Sequence, residues 1–126
     1  MDITILGIDI AKKKFDAVIL HNQRSFHKKF SNDYKGFDKL LVWLQEKNIS
    51  HVHACLEATG VYGEDLSCFL HQREFLVSVV NPMRIKAFAN SELRRNKTDK
   101  ADAETIARFC KIHKPSLWTP PRPEWK

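Results

Sequence analysis

Three strand-like segments precede the first helical stripe of this chain, and that order narrows the folds open to it. Ile3 to Ile10 is apolar and β-branched. Phe15 to Leu20 alternates as a second strand, and Arg24 to Phe30 follows through the turn-like His21-Asn22-Gln23. Ser31-Asn32-Asp33 then offers helix caps, and Tyr34, Phe37, Leu40, Leu41 and Leu44 fall on one helical stripe that ends near Asn48. His51 to Leu56 reads as a fourth strand and Val61 to His71 as a helix. Phe75 to Val80 is a fifth strand, apolar enough to expect burial on both faces. Asn81-Pro82 is an N-cap followed by a first helical residue, and a last helix runs from Thr98 or Asp99 to His113 with Ala103, Ile106, Ala107 and Cys110 as its stripe. Closely linked strands favour antiparallel pairing, and alternating helix and strand favours parallel pairing. The expectation is therefore a mixed five-stranded α/β sheet flanked by helices.

At 126 residues the chain is one domain's worth, and 43% hydrophobic content with 10% aromatics supports a buried core and excludes disorder along its whole length. No apolar run approaches the roughly 18–20 residues of a membrane span. No basic region precedes the apolar stretch at the N-terminus, which argues against a signal peptide. Cys55, Cys68 and Cys110 form no C-x-x-C pair, which reads as reduced thiols in a cytoplasmic protein with no membrane partner. The net charge of +6 is unevenly placed. Residues 1–80 carry ten Lys/Arg and ten Asp/Glu, whereas residues 81–126 carry eleven and five. The densest stretch contains Arg94, Arg95, Lys97 and Lys100. It suits a polyanion, although a solvated helix end has the same look. Residues 115–126 hold four of the five prolines and two of the three tryptophans, so they read as an arm leading away from a domain of residues 1–114.

Four carboxylates stand in awkward places. Asp9 lies inside the apolar run Leu6-Gly7-Ile8-Asp9-Ile10-Ala11, where burying its charge costs several kcal/mol unless a metal or a basic side chain pairs with it. A solvent-facing position at the strand end is the other reading. Glu57 ends the fourth strand before Ala58-Thr59-Gly60, where it can also accept backbone N–H bonds. Asp99 and Asp102, three apart, share one face at the start of the last helix; they serve equally as cap and first-turn acid. Carboxylates from three elements suit a hard cation such as Mg²⁺ or Mn²⁺.

Weaker constellations recede. His51, His53, Cys55 and Glu57 alternate along one strand face, but same-face neighbours roughly 7 Å apart cannot share a zinc ion with bonds of ~2.0–2.3 Å. There is no nucleophile elbow and no P-loop. Trp43 reads as packing. Trp118 and Trp125 suit either base stacking or contact with another domain.

Four blocks together resemble a known family: Gly7-Ile8-Asp9-Ile10-Ala11-Lys12, Leu56-Glu57-Ala58-Thr59-Gly60, Asn81-Pro82, and Lys97-Thr98-Asp99-Lys100-Ala101-Asp102-Ala103. They are similar to the N-terminal domain of the DEDD insertion-sequence transposases, which include Piv-type DNA invertases and bridge-RNA-guided recombinases. The resemblance spans about residues 3–120. It implies an RNase H-like, RuvC-like fold in which the first and fourth strands are neighbours. It also implies an Asp9, Glu57, Asp99 and Asp102 catalytic set, Mg²⁺ (or Mn²⁺) as cofactor, and metal-dependent cleavage and rejoining of DNA. DNA is the implied partner, with a guide RNA in part of the family and a homo-oligomer suggested by the need to handle paired strands. Family members continue into a second domain bearing a serine nucleophile, which nothing here matches, so the chain is expected to be a truncated portion. Lys12, Arg94, Arg95, Lys97 and Lys100 are candidate nucleic-acid contacts. Lys12 to Lys14 equally suit a solvated hairpin turn.

Two other classes stay open. An actin-like or sugar-kinase-like ATP-binding lobe also opens with a Gly-Ile-Asp strand and a hairpin. It needs small and hydroxyl residues in the following turn, where this chain has Ala11-Lys12-Lys13-Lys14. A non-catalytic nucleic-acid-binding module would keep its binding after Asp9→Ala or Glu57→Ala.

Overall fold

The computed structural model describes residues 3–58, 60–91 and 99–120, with only the backbone described for 99–102. Its elements run β1 (Thr4–Ile10), β2 (Lys14–His21), β3 (Arg24–Ser31), α1 (Tyr34–Glu46), β4 (Val52–Glu57), α2 (Glu64–Gln72), β5 (Leu76–Val80), α3 (Pro82–Ser91) and α4 (Asp99–His113). The sheet order is β3-β2-β1-β4-β5. β1 pairs antiparallel with β2 and parallel with β4, β2 with β3 is antiparallel, and β4 with β5 is parallel. The mixed sheet expected from the segment order is therefore present, with β1 at its centre.

Local chemistry accounts for the joints. Asn22 and Gln23 both have positive φ, 52° and 66°, so a two-residue turn matches the right-handed twist of β2 and β3. Asp33 caps α1 by accepting a hydrogen bond from the Gly36 N–H at 2.9 Å. Asn48 and Glu74, each left-handed just past a helix, end α1 and α2. α2 begins three residues later than its hydrophobic stripe suggested, because 60–63 form a turn and Gly63 supplies no side-chain cap.

Strand alternation splits the core into two layers. Leu6, Ile8, Ile10, Phe15, Ala17, Ile19 and Leu56 face α1 and α2. Ile5, Val18, Cys55 and Val80 face α3 and α4, where they meet Ile85, Phe88, Ala103, Ile106, Ala107 and Cys110. Each fully buried aliphatic side chain contributes about 1.5–3 kcal/mol, so both layers are needed to hold the central strand. Trp43 is buried in the first layer.

β5 is buried on both faces as its apolar run predicts, with Val77 in the first layer and Ser78 and Val80 buried on the other side. It is an edge strand, and Leu76 is 41% exposed. Its free edge is covered by residues 115–118: the Trp118 N–H donates to the Val77 carbonyl at 2.7 Å, and the Ser78 hydroxyl donates to the Ser116 carbonyl at 2.9 Å. Trp118 packs against the first core layer and edge-on to His71. The arm thus begins by sealing a sheet edge that would otherwise present unpaired backbone groups.

Candidate carboxylate site

The register decides which acids can meet. β1 and β4 pair in parallel up to Ile8 opposite Leu56. One step further along, Asp9 and Glu57 leave the ladder side by side. Both point to the α4 face, because Ile8 and Leu56 belong to the opposite layer. Each is half-buried, and each is engaged in a polar or electrostatic contact.

α4 runs back over this pair. A Cβ added at Gly7 would lie 2.5 Å from the Ala107 nitrogen and 2.6 Å from the Ala107 Cβ, and in contact with the Ala103 carbonyl oxygen. Further along α4, Cys110 is hydrogen-bonded to Cys55 and His53. The helix is therefore antiparallel to β1 and β4. From Ala103 back to Asp99 the helix rises about 6 Å, and from Gly7 on to Asp9 the strand rises about 6.6 Å. The backbone of the first turn of α4 is thus level with Asp9. Gly7 makes this possible: only a residue without a side chain lets the helix backbone approach the strand so closely.

Of the expected site residues, Asp9 and Glu57 come together on one face. Asp99 and Asp102 lie in the first turn of α4, with their side chains outside the described residues, as is that of Lys100. Arg94, Arg95 and Lys97 also lie outside the described residues. Lys12 is exposed in the β1–β2 turn. That turn is tied down: the Ala11 N–H donates to the Lys14 carbonyl at 2.8 Å, and the Asn32 side-chain amide donates to the carbonyls of Ala11 at 2.9 Å and Tyr62 at 3.0 Å.

Sequence reasoning missed Asp16. It is the cross-strand partner of Asp9 on the same face, only 7% exposed, and its Oδ1 lies 3.2 Å from His27 Nε2. The signal was available. Ala11 to Lys14 is a tight turn, and counting outward from Ile10 opposite Phe15 sets Asp9 opposite Asp16.

The donors are carboxylates, which suits a hard divalent cation. Among the described residues no group of three His, Cys, Asp or Glu side chains is gathered closely enough to hold a metal ion. A metal ion held by Asp9 and Glu57 would therefore need further ligands from outside the described side chains. Two surface hollows among the described residues, one lined by Leu41, Leu44 and Phe75 and one by Arg84, Phe88 and His113, lie away from these residues. Behind the site, burial and a hydrogen bond with Cys110 act on the Cys55 thiol; the hydrogen bond is the larger cause, and both push its pKa up. Among the described residues no helix is long and apolar enough to cross a membrane.

The pilin gene-inverting proteins of Moraxella lacunata and Moraxella bovis are each 41% identical over 122 residues, which is 95% of this chain and 38% of theirs. This chain therefore spans well under half the length of those relatives. Thermus thermophilus RuvC, solved in complex with a Holliday junction substrate, superposes with a TM-score of 0.58 at 11% identity, covering 93% of this chain and all of that one. That likeness shows an RNase H-like fold. Residues 6–125 match the transposase family DEDD_Tnp_IS110, and the chain belongs to that DEDD transposase family.

Proposed function

We propose that this chain is the carboxylate-bearing part of a DNA transposase or site-specific recombinase that cuts and rejoins strands with the help of Mg²⁺ or Mn²⁺. The observation that carries the reading is that Asp9 and Glu57 each follow the last residues paired between the parallel strands β1 and β4, on the face that α4 crosses from Asp99. Asp9 and Glu57 would hold the ion from the sheet, and Asp99 and Asp102 from the helix. The bound ion would supply Lewis acidity at the scissile phosphate. The N-terminus of α4 adds partial positive charge beside the same phosphate, and Lys12 lies at the rim to neutralise part of the backbone charge. The attacking serine belongs, on this reading, to a part of the recombinase outside these residues. DNA is the proposed partner; a guide RNA and a homo-oligomer extend the reading to the assembled enzyme.

Thermal melting with and without Mg²⁺ or Mn²⁺ tests the proposal. The ion should raise the melting temperature, since a ligand at 100 times its Kd stabilises by about 2.7 kcal/mol. Asp9→Asn should abolish the rise. An equal rise in the mutant would remove Asp9 from the site.

A further inference from the structure

The register extends the row of acids to the sheet edge. Glu57, Asp9, Asp16 and Lys29 stand on successive strands β4, β1, β2 and β3, all on the α4 side. α4 packs on β1, β2 and β4. Beyond it, the residues of β3 on this side are polar throughout: Ser25, Lys29 and Ser31 are exposed and His27 is half-buried. The other side of β3 carries Phe26 and Phe30 into the core. Lys14, opposite Ser31, adds a second exposed amine to the open side. Asp16 is the one carboxylate next to these amines on that side of β2 and β3, and His27 holds it at 3.2 Å. The open patch is therefore cationic, and it borders the carboxylate row directly. With strands ~4.8 Å apart, Lys29 stands about 10 Å from Asp9. That span is roughly three nucleotides at ~3.4 Å of rise each.

We propose that the open side of β3 and the adjoining start of β2, centred on Lys29 and Lys14, is the track along which the phosphate backbone of DNA reaches the carboxylates; the proposal rests on the function proposed above. A β3 face with exposed amines and no apolar side chains suits a phosphate backbone rather than a protein surface. The track uses residues whose positions the sheet fixes.

The test is the salt dependence of duplex DNA binding, read by fluorescence anisotropy in metal-free buffer so that cation binding plays no part. Three forms of the chain are compared: wild type, Lys14→Gln/Lys29→Gln, and a control, Lys35→Gln/Lys39→Gln, which removes the same charge from exposed positions on α1 across the sheet. Losing two phosphate contacts should lower the slope of log K against log salt by about 1.8, at ~0.9 per phosphate. The control should keep the wild-type slope. The track is overturned if wild type fails to bind DNA at low salt, if both double variants lose the same slope, or if the Lys14/Lys29 variant loses none. It is also overturned if that variant loses slope on an RNA duplex but not on DNA. A flattened slope in a protein whose melting ignores Mg²⁺ and Mn²⁺ would keep the track and remove the metal site, so the two readings fail separately.

Discussion

Replacing Gly7 with Ala puts one methyl group where α4 already sits. The new Cβ would stand 2.6 Å from the Ala107 Cβ and 2.5 Å from the Ala107 nitrogen. Carbon atoms pack at about 3.5–4.0 Å, so the helix must retreat by roughly 1 Å. The atoms in the way are mostly backbone and cannot rotate aside. The cost should fall near the top of the range for overpacking, about 3 kcal/mol. Alanine's smaller unfolded-state entropy returns ~0.4–1 kcal/mol, leaving a loss of about 2 kcal/mol. A chain of 126 residues with ~2.1 cal/mol/K of unfolding entropy per residue loses about 4 °C per kcal/mol, so the melting temperature should drop by roughly 8 °C. The control is Gly63→Ala, whose added Cβ meets nothing nearer than Leu56 Cδ2 at 3.5 Å; it should stay within about 1 kcal/mol. Circular dichroism melts of both variants decide the matter. Because the retreat of α4 carries the Asp99 end with it, Gly7→Ala should also lose the stabilisation by Mg²⁺ or Mn²⁺. A Gly7→Ala protein that melts with wild type would refute the close approach of α4 to β1.

Ser78→Ala should destabilise by about 1–3 kcal/mol in urea titrations, because fully buried Ser78 satisfies His53 Nε2 at 2.7 Å and the Ser116 carbonyl, and both lose their partner. Loss of the 115–118 segment from the β5 edge should accompany it, seen as faster amide exchange at Trp118. The Asp33 carboxylate is held below its ordinary pKa by the Gly36 N–H and then by the Ser31 hydroxyl. Its folded pKa lies below the unfolded one, so its stabilisation is full above about pH 4 and fades as pH falls through the folded value. Asp33→Asn keeps an acceptor without the titration; the gap in melting temperature between it and wild type should close as pH falls from 7 to 2.5. Among the thiols, Cys68 is half-buried while Cys55 and Cys110 are fully buried, so native protein should react at one thiol quickly and at the other two only on unfolding.

Much of this fold is legible before any coordinates. Asn22-Gln23, Asp33 and Asn81-Pro82 mark turns and caps by their own chemistry, and β1 and the α4 stripe of Ala103, Ile106, Ala107 and Cys110 follow from hydrophobic period. The edge position of β5 was not legible, because an apolar run looks the same whether a neighbouring strand or a returning arm covers it. Asp9 and Glu57 announced themselves as charges in apolar strands. Asp16 did not, since an acid in an alternating strand looks solvent-facing until the hairpin register sets it against Asp9. The closeness of Gly7 to α4 is a property of packing between elements ninety-odd positions apart, which local pattern does not carry.

The central claim is that acids from β1, β4 and α4 share one divalent ion, and Mn²⁺ binding counted by electron paramagnetic resonance tests it most directly. Wild type should hold at least one Mn²⁺, and Asp9→Asn, Glu57→Gln and Asp99→Asn should each weaken that binding tenfold or more while remaining folded. Undiminished Mn²⁺ binding in Asp9→Asn and Glu57→Gln would contradict the account.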